Sequence, residues 1–196
     1  MNSEFPKRLS LEGGDIELRR MSTSDEAAVL AFAGRLEPHE LLFLRRDIRK
    51  PKVVAAWLRE IEAGQYDTLL AWRGDEVVGC ATLVRDPLSW SAHVAEIRAV
   101  VAQTMRGRGL GTSLVREVFR LALVGGAEKI FAQMTTDQQG AIAVFEGLGF
   151  KPEAILREHV RDHAGTSYDL VVLSHIVAEV VATLQAYGVD AVGDTD

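Results

Sequence analysis

A glycine-rich segment, Arg106-Gly-Arg-Gly-Leu-Gly-Thr112, is the feature that most constrains the fold of this chain. It follows an apolar run at residues 93–101 that predicts a strand, and it precedes a predicted helix whose Leu114, Val118 and Leu121 share one face. Glycines let the backbone turn tightly and approach a ligand without a Cβ in the way. The first N–H groups of a helix point outward, so the segment predicts either a cradle for a phosphate or pyrophosphate, or simply a turn that joins strand to helix.

Two common phosphate-binding motifs do not fit this segment. A Walker A loop requires Gly-Lys before Ser or Thr, but here Gly111 is followed directly by Thr112. A Rossmann fingerprint requires a third glycine where this chain, counted from Gly107, has Thr112. That fingerprint also follows the first strand of its unit, whereas about four predicted strands precede the segment here. The pattern therefore argues against both nucleotide-binding folds.

The remaining periodicities predict a mixed α/β fold with one core domain at residues 15–175. Residues 1–14 show no clear period and predict an N-terminal arm, and residues 176–196 predict a closing helix, over 176–187, and a tail. Strands are predicted at residues 16–21, 68–72, 77–84, 93–101, 130–134, 154–161 and 168–174. Helices are predicted after the capping pair Thr23 and Glu26, around residues 41–44, from Pro51, after Gly111 and at residues 138–148.

The composition excludes several classes of protein. The 196 residues carry a formal charge of −6, which argues against general nucleic-acid binding. The single cysteine excludes an intrachain disulfide and a multi-thiolate zinc site, and it is typical of a reducing cytosol. No apolar signal-peptide region opens the chain, and no run approaches the roughly 18 apolar residues of a membrane span. We therefore expect a cytoplasmic protein with no nucleic-acid or membrane partner.

The arrangement resembles the GCN5-related N-acetyltransferase (GNAT) superfamily. The pyrophosphate motif of that family, Gln/Arg-x-x-Gly-x-Gly/Ala, is matched by Arg106–Gly111, with its hydrophobic residue five positions earlier at Val101. A second family element, Ala-Ile-x-x-Tyr-Glu-x-x-Gly-Phe, is similar to residues 141–150, and residues 168–173 look like the last strand of the family. Three motifs in this order and spacing, spread over residues 15–175, make the resemblance specific.

The resemblance implies an α/β fold with a mixed, splayed central sheet that is flanked by helices and opens between the strands at 92–101 and 129–134. Acetyl-CoA, the implied cosubstrate, would lie in this opening, and no metal is implied. The pantetheine arm would pair with the main chain of Ala99, Val100 and Val101. The residues implied to bind the pyrophosphate are Arg106, Gly107, Arg108, Gly109, Leu110, Gly111 and Thr112.

The activity implied by the resemblance is transfer of the acetyl group to a primary amine by direct attack in a ternary complex. The amine must lose a proton, the oxyanion must be stabilised and the thiolate must leave. Glu96 is the candidate general base, because it lies in an apolar strand five residues before Val101, where similar enzymes often place a carboxylate. The alternatives for Glu96 are a solvent-facing side chain or an ion pair with Arg98 or Arg19.

Two positions depart from the family pattern. Phe145 stands where a family Tyr often protonates the thiolate, and Gln133 stands where ribosomal-protein N-terminal acetyltransferases have a catalytic Glu. Tyr168 is the substitute candidate for the general acid, with a packing role as its alternative. Cys80 lies in an apolar strand and predicts a buried small side chain rather than a nucleophile. These departures keep open the alternative that the protein is a catalytically silent regulatory module that binds acyl-CoA.

The acceptor site is expected beside residues 35–63 and the hairpin turn 162–167, since those regions close it in similar proteins. A small-molecule amine or amino acid is favoured, with a protein or peptide amine as the alternative, and a homodimer is a further option. Residues 85–120 hold six arginines and three acidic residues, so this segment is basic although the chain as a whole is acidic. The acidic remainder of the chain favours a cationic amine as the acceptor. His159, His163 and Asp162 have metal-like spacing, but their place at a hairpin turn favours a polar surface.

Overall fold

An eight-stranded mixed sheet forms the centre of the fold in the computed structural model, which describes residues 5–178. The strands are ordered β1-β2-β3-β4-β5-β6-β8-β7, and all neighbouring strands are antiparallel except β5 and β6. The strands are β1 (Lys7–Leu11), β2 (Gly14–Arg20), β3 (Tyr66–Arg73), β4 (Glu76–Arg85), β5 (Val94–Val101), β6 (Lys129–Thr135), β7 (Lys151–Arg161) and β8 (Ser167–Ile176). The helices are α1 (Glu26–Ala33), α2 (Pro51–Glu62), α3 (Leu110–Val124) and α4 (Gln139–Glu146), with 3-10 helices at Thr23–Asp25, Gln103–Met105 and Pro38–Leu44. We call Pro38–Leu44 the bridging helix.

Local signals set the helix boundaries. The capping box is formed by Ser22 and Asp25, one residue before the predicted pair, so a 3-10 turn precedes α1. Gly34 ends α1 as predicted, and its N–H bonds to the carbonyl of Leu30 at 3.0 Å. Pro51 begins α2 because the first turn of a helix does not need its missing N–H.

The prediction of an irregular arm is wrong for residues 7–11. These residues form β1, which pairs with β2 so that Leu9 lies opposite Ile16. Leu9 and Leu11 pack against the core, while Arg8 and Ser10 are exposed. A five-residue strand with two apolar positions is too short to show a period, which is why the pattern was not visible. The closing helix predicted at 176–187 falls almost entirely outside the described residues; Ile176 ends β8.

The sheet separates two apolar clusters. One lies between the sheet and helices α3 and α4, and it contains Ile97, Leu114 and Ile130. The other lies beneath α1, α2 and the bridging helix, and it contains Trp57 and Val100. Successive side chains of a strand point to opposite faces. The side chains of Glu96 and Arg98 therefore share the face of Val100, beneath the bridging helix.

The sheet opens between β5 and β6, which confirms the predicted splayed α/β fold. The two strands pair in parallel over three residues only, with Val94–Glu96 opposite Lys129–Phe131. Both strands continue, to Val101 and Thr135, with no further pairing to each other among the described residues. The result is a wedge-shaped opening that the bridging helix contacts on both sides, because it packs against β5 and β6.

Candidate active site

The glycine turn has the geometry of an anion cradle. Gly107 and Gly109 adopt φ values of +70° and +82°, a left-handed conformation that favours glycine. Gly109 is the N-cap of α3, and the first bond inside that helix runs from the N–H of Ser113 to the carbonyl of Gly109 at 3.0 Å. The N–H groups of residues 110–112 therefore precede the first helical bond and are available to an anion. A Cβ at Gly107 would meet nothing within 4 Å, so the turn faces open space.

Two arginines connect the cradle to neighbouring elements. Arg106 forms an ion pair with Glu40 of the bridging helix. Arg108 donates a hydrogen bond of 3.3 Å to the carbonyl of Glu12, in the turn between β1 and β2. Arg106 is half exposed, with 50% of its side chain accessible. Positive charge therefore stands beside the N–H groups of the turn, which suits a pyrophosphate.

The end of β5 leads directly into this cradle. Ala99 and Val100 pair with β4 on one side, and they face the opening on the other. A Cβ at Gly111 would lie 3.8 Å from Val101, so the glycine turn folds back over the end of the strand. A strand edge without a partner can accept an extended ligand as an additional strand. The residues predicted to bind the pantetheine arm and the pyrophosphate thus line one continuous path.

Glu96 is buried between two guanidinium groups. Its carboxylate accepts a hydrogen bond of 2.7 Å from Nη2 of Arg98, and its Oε1 lies 3.1 Å from Nε of Arg45. Only 7% of its side chain is exposed, so the solvent-facing alternative is wrong, and the pairing with Arg98 is confirmed. The alternative partner Arg19 instead stacks over the ring of Trp72 at 4.0 Å.

Arg98 places a permanent positive charge beside the carboxylate of Glu96. Its side chain is 12% exposed, and its Nη1 lies 3.4 Å from the hydroxyl of Tyr66. Burial alone would lower the pKa of Arg98, but the hydrogen bond and charge of Glu96 outweigh it and raise the pKa. The guanidinium therefore remains charged at any physiological pH.

Arg45 is a site residue that the sequence did not reveal. It caps the bridging helix at φ +56°, a left-handed conformation that costs a non-glycine residue about 1 kcal/mol. Its guanidinium contacts Glu96 on β5 and donates a hydrogen bond to Oε1 of Gln133 on β6. Arg45 therefore spans the opening. In the sequence it is one arginine of a polar connection, and its partners are far away along the chain.

Tyr168 lies at the edge of the opening with its proton already engaged. Its hydroxyl donates a hydrogen bond of 3.0 Å to Asp162. That bond raises the pKa of Tyr168, so the hydroxyl stays protonated at neutral pH. The ring lies 4.9 Å from that of His39, whose Nε2 is 2.8 Å from Asp137. The phenol proton is therefore present, but it is directed at the hairpin turn.

Phe145 is part of the apolar core on the α3 face of the sheet. It is 5% exposed and packs edge-on against Phe150, with ring centroids 5.1 Å apart. The position that carries a tyrosine in similar proteins therefore contributes packing and no hydroxyl group.

Cys80 is fully buried, as predicted for a structural side chain, and burial raises the pKa of its thiol to about 12. We expect iodoacetamide at pH 8 to label the folded protein at least about a thousandfold more slowly than the unfolded chain, because the thiolate is the reactive form. Intact-mass spectrometry over time measures both rates. Rapid labelling of the folded protein would contradict this placement.

A cleft forms where the bridging helix and the loop after it face the turn between β7 and β8. Its volume is about 240 Å³, and its walls include Leu42, Arg45, Asp47, Arg161 and Asp162. The two segments that were expected beside the acceptor thus meet in the fold. Arg45 lines this cleft and also contacts Glu96, so the cleft adjoins the buried carboxylate at the opening.

Two features that would suggest other functions have no support in residues 5–178. No group of three or more His, Cys, Asp or Glu side chains there is placed to hold a metal ion. No helix of this part of the chain has the length and apolar character to cross a membrane. His163 lies 3.7 Å from Asp47, across the cleft rather than beside His159.

Curated relatives match part of this chain. A mycothiol acetyltransferase of Corynebacterium efficiens is 37% identical over 97 residues, which are 49% of this chain and 30% of that protein. The N-alpha-acetyltransferase RimI of Mycobacterium tuberculosis is 27% identical over 120 residues, 59% of this chain and 72% of RimI. The chain thus aligns with less than a third of the length of the mycothiol enzyme.

Solved structures show the same fold. An acetyltransferase of the GNAT family from Streptococcus pneumoniae superposes with a TM-score of 0.71 at 19% identity, covering 83% of this chain and 99% of that one. Mycobacterium smegmatis RimJ in complex with CoA-disulfide superposes with a TM-score of 0.71 at 20% identity, covering 96% of this chain and 98% of that one. The model of the acetyltransferase (GNAT) family matches residues 35–150, more than half of the sequence. The splayed sheet, the glycine turn and this match together establish that the chain belongs to the GNAT acetyltransferase family.

Proposed function

We propose that the protein is an N-acetyltransferase that transfers an acetyl group from acetyl-CoA to a primary amine by direct attack in a ternary complex. The observation that carries this proposal is the opening between β5 and β6, which ends at the N–H groups of residues 110–112. An extended ligand whose arm leads to a pyrophosphate fits that path. Membership of the GNAT family supports the same activity.

When bound, acetyl-CoA would supply an activated acetyl thioester. The chain binds and orients it: the main chain at Ala99, Val100 and Val101 holds the arm, and residues 106–112 hold the pyrophosphate. A main-chain N–H near Val100 and Val101 is suited to donate to the thioester oxygen, which requires no particular side chain. Positioning and electrostatics would therefore provide most of the rate acceleration.

Glu96 would accept the proton of the attacking amine. Both of its oxygens face guanidinium groups, so the amine reaches this buried carboxylate when one of these groups withdraws. Arg98 is buried and fixed, whereas 47% of the Arg45 side chain is exposed. Arg45 is therefore the group that must move. For the departing thiolate, Tyr168 remains the side-chain candidate as general acid, and water can complete the protonation since a thiol is an acceptable leaving group.

The acceptor could be a small molecule or a polypeptide amine. The acceptor cleft of about 240 Å³ favours a small molecule. The RimI relative, named as an N-alpha-acetyltransferase, provides the reason to include peptides in any assay. A silent acyl-CoA-binding module is a second candidate function, favoured by Phe145 and Gln133. The homodimer and the cytoplasmic location remain predictions.

We expect the protein to bind acetyl-CoA and to release free thiol only when an acceptor amine is added. Calorimetry measures the binding, and a thiol reagent measures release over a panel of amino acids, polyamines and peptides. Binding without acceptor-dependent release from any of them would identify the silent module instead. A protein that does not bind acetyl-CoA would contradict both the acetyltransferase and the silent module.

A further inference from the structure

We propose that the acceptor is a small amine that also carries a carboxylate, and that Arg161 and Arg45 bind this carboxylate. This inference rests on the proposed acetyl transfer, and it concerns the cleft between the bridging helix and the β7–β8 turn. Four arginines line the cleft, at positions 45, 46, 49 and 161, against the two acidic residues Asp47 and Asp162. Among the lining residues the arginines thus outnumber the carboxylates, although the chain as a whole carries a charge of −6.

Most of these charges are already paired. Arg49 binds Asp47 through two hydrogen bonds of 2.8 and 3.0 Å, and these bonds lower the pKa of Asp47 to about 2. Arg46 lies 3.1 Å from Glu60. These two arginines shape the wall of the cleft and have little capacity left for a ligand.

Arg161 is different, because none of the described residues forms an ion pair with it. It lies at the end of β7, is exposed, and has one side-chain hydrogen bond, from Nε to Ser167 at 3.2 Å. No carboxylate within residues 5–178 forms an ion pair with it. The neighbouring Asp162 forms no ion pair with it, and its two oxygens instead accept from the N–H of Thr166 and the hydroxyl of Tyr168. The free edge of a guanidinium is suited to bind a carboxylate through two hydrogen bonds.

Arg45 connects recognition of the carboxylate to the chemistry. Its side chain lines the cleft and at the same time lies 3.1 Å from Glu96. A carboxylate that enters the cleft competes with Glu96 for this guanidinium, and the exchange replaces one ion pair by another. Glu96 then loses one of its two cationic partners as the amine arrives. The anionic group of the acceptor thus frees the base that takes the proton of its amine.

The size and the remaining walls of the cleft agree with a compact molecule. The cleft has a volume of about 240 Å³, which suits a small molecule. The lining also includes the apolar residues Leu41, Leu42 and Val160. This combination suits an α-amino acid with an apolar side chain better than a polyamine, whose charges would meet the arginines.

The test compares α-amino acids with the matched amino acid amides, which differ only in the carboxylate. We expect kcat/KM of the wild-type enzyme to be at least tenfold higher for the acids, equivalent to about 1.4 kcal/mol. Arg161→Gln should remove this preference mainly through KM for the acid, and Arg161→Lys should restore part of it. Arg157→Gln removes the same charge from an exposed position on the same strand, and it should leave the preference intact.

The outcomes separate this inference from the proposed function. Equal turnover of acids and amides, an unchanged preference in Arg161→Gln, or turnover of polyamines or peptides alone would overturn the acceptor assignment while the acetyltransferase activity stands. Binding of acetyl-CoA with no turnover of any amino acid would also overturn it. Failure to bind acetyl-CoA would refute the proposed function itself.

Discussion

Replacing Gly109 with valine is expected to weaken acetyl-CoA binding at least about 100-fold, a loss of about 2.7 kcal/mol. Gly109 adopts φ +82°, where a β-branched residue is strained. The new Cβ itself meets only Leu11, at an ordinary 4.0 Å, so the damage comes from the backbone rather than from a clash. To relieve the strain the turn must change its dihedral angles, and the N–H groups of residues 110–112 then no longer converge on one anion.

A matched control exists at the other end of the same helix. Gly126 adopts φ +78°, and a Cβ there meets nothing within 4 Å. Gly126→Val should therefore lower the thermal stability by a similar amount without affecting calorimetric binding of acetyl-CoA. Equal affinities of the Gly109 variant and the wild-type protein would remove the glycine turn from the cofactor site.

Replacing Glu96 with glutamine is expected to lower kcat about 100-fold or more, while the affinity for acetyl-CoA stays within about twofold. The amide has the same shape as the carboxylate but cannot accept the proton of the amine. The dependence of the rate on pH should also change, because the proposed general base is gone. A rate–pH profile that matches the wild-type profile would exclude Glu96 as the base.

The same substitution leaves Arg98 buried without its charged partner, so it should also destabilise the protein. Glu117→Gln provides the comparison, since Glu117 is a buried carboxylate paired with Lys7 and far from the opening. The Glu117→Gln variant should be less stable than the wild-type protein and should keep its kcat. Glu96→Asp retains the charge and withdraws the carboxylate by one methylene, so it should fold well and still lose activity. A fully active Glu96→Asp enzyme would show that the exact position of the carboxylate does not limit the rate.

The parts of the fold that the sequence predicts well are those with strong local signals. The hairpin of β3 and β4, the strand β5 and the amphipathic α3 have clear periodicity, and Pro51 and Gly34 mark helix ends through their own backbone preferences. The glycine turn has a local signal as well, because Gly107 and Gly109 adopt the left-handed conformation that glycine favours. These elements could be placed without any knowledge of tertiary contacts.

The site residues that were missed depend on long-range contacts. The sequence around Arg45 does not predict that this side chain contacts both Glu96 and Gln133. These contacts depend on how the bridging helix crosses the sheet. The ion pair of Glu96 with Arg98 could be foreseen because residues two apart on a strand share a face. β1 was missed because it gains its stability from pairing with β2 rather than from its own pattern.

The two halves of the sheet are joined only by the three-residue pairing of β5 with β6. Ala95 and Ile130 lie opposite each other in this paired stretch, and both are completely buried. Hydrogen bonds hold paired strands about 4.8 Å apart, so among the described residues β5 and β6 are held together only over these three residues, and the gap begins where the pairing ends. Loss or gain of one paired residue would therefore shift the start of the gap along β5 by about 3.3 Å, and so change the length of ligand that the gap can hold, without altering any loop.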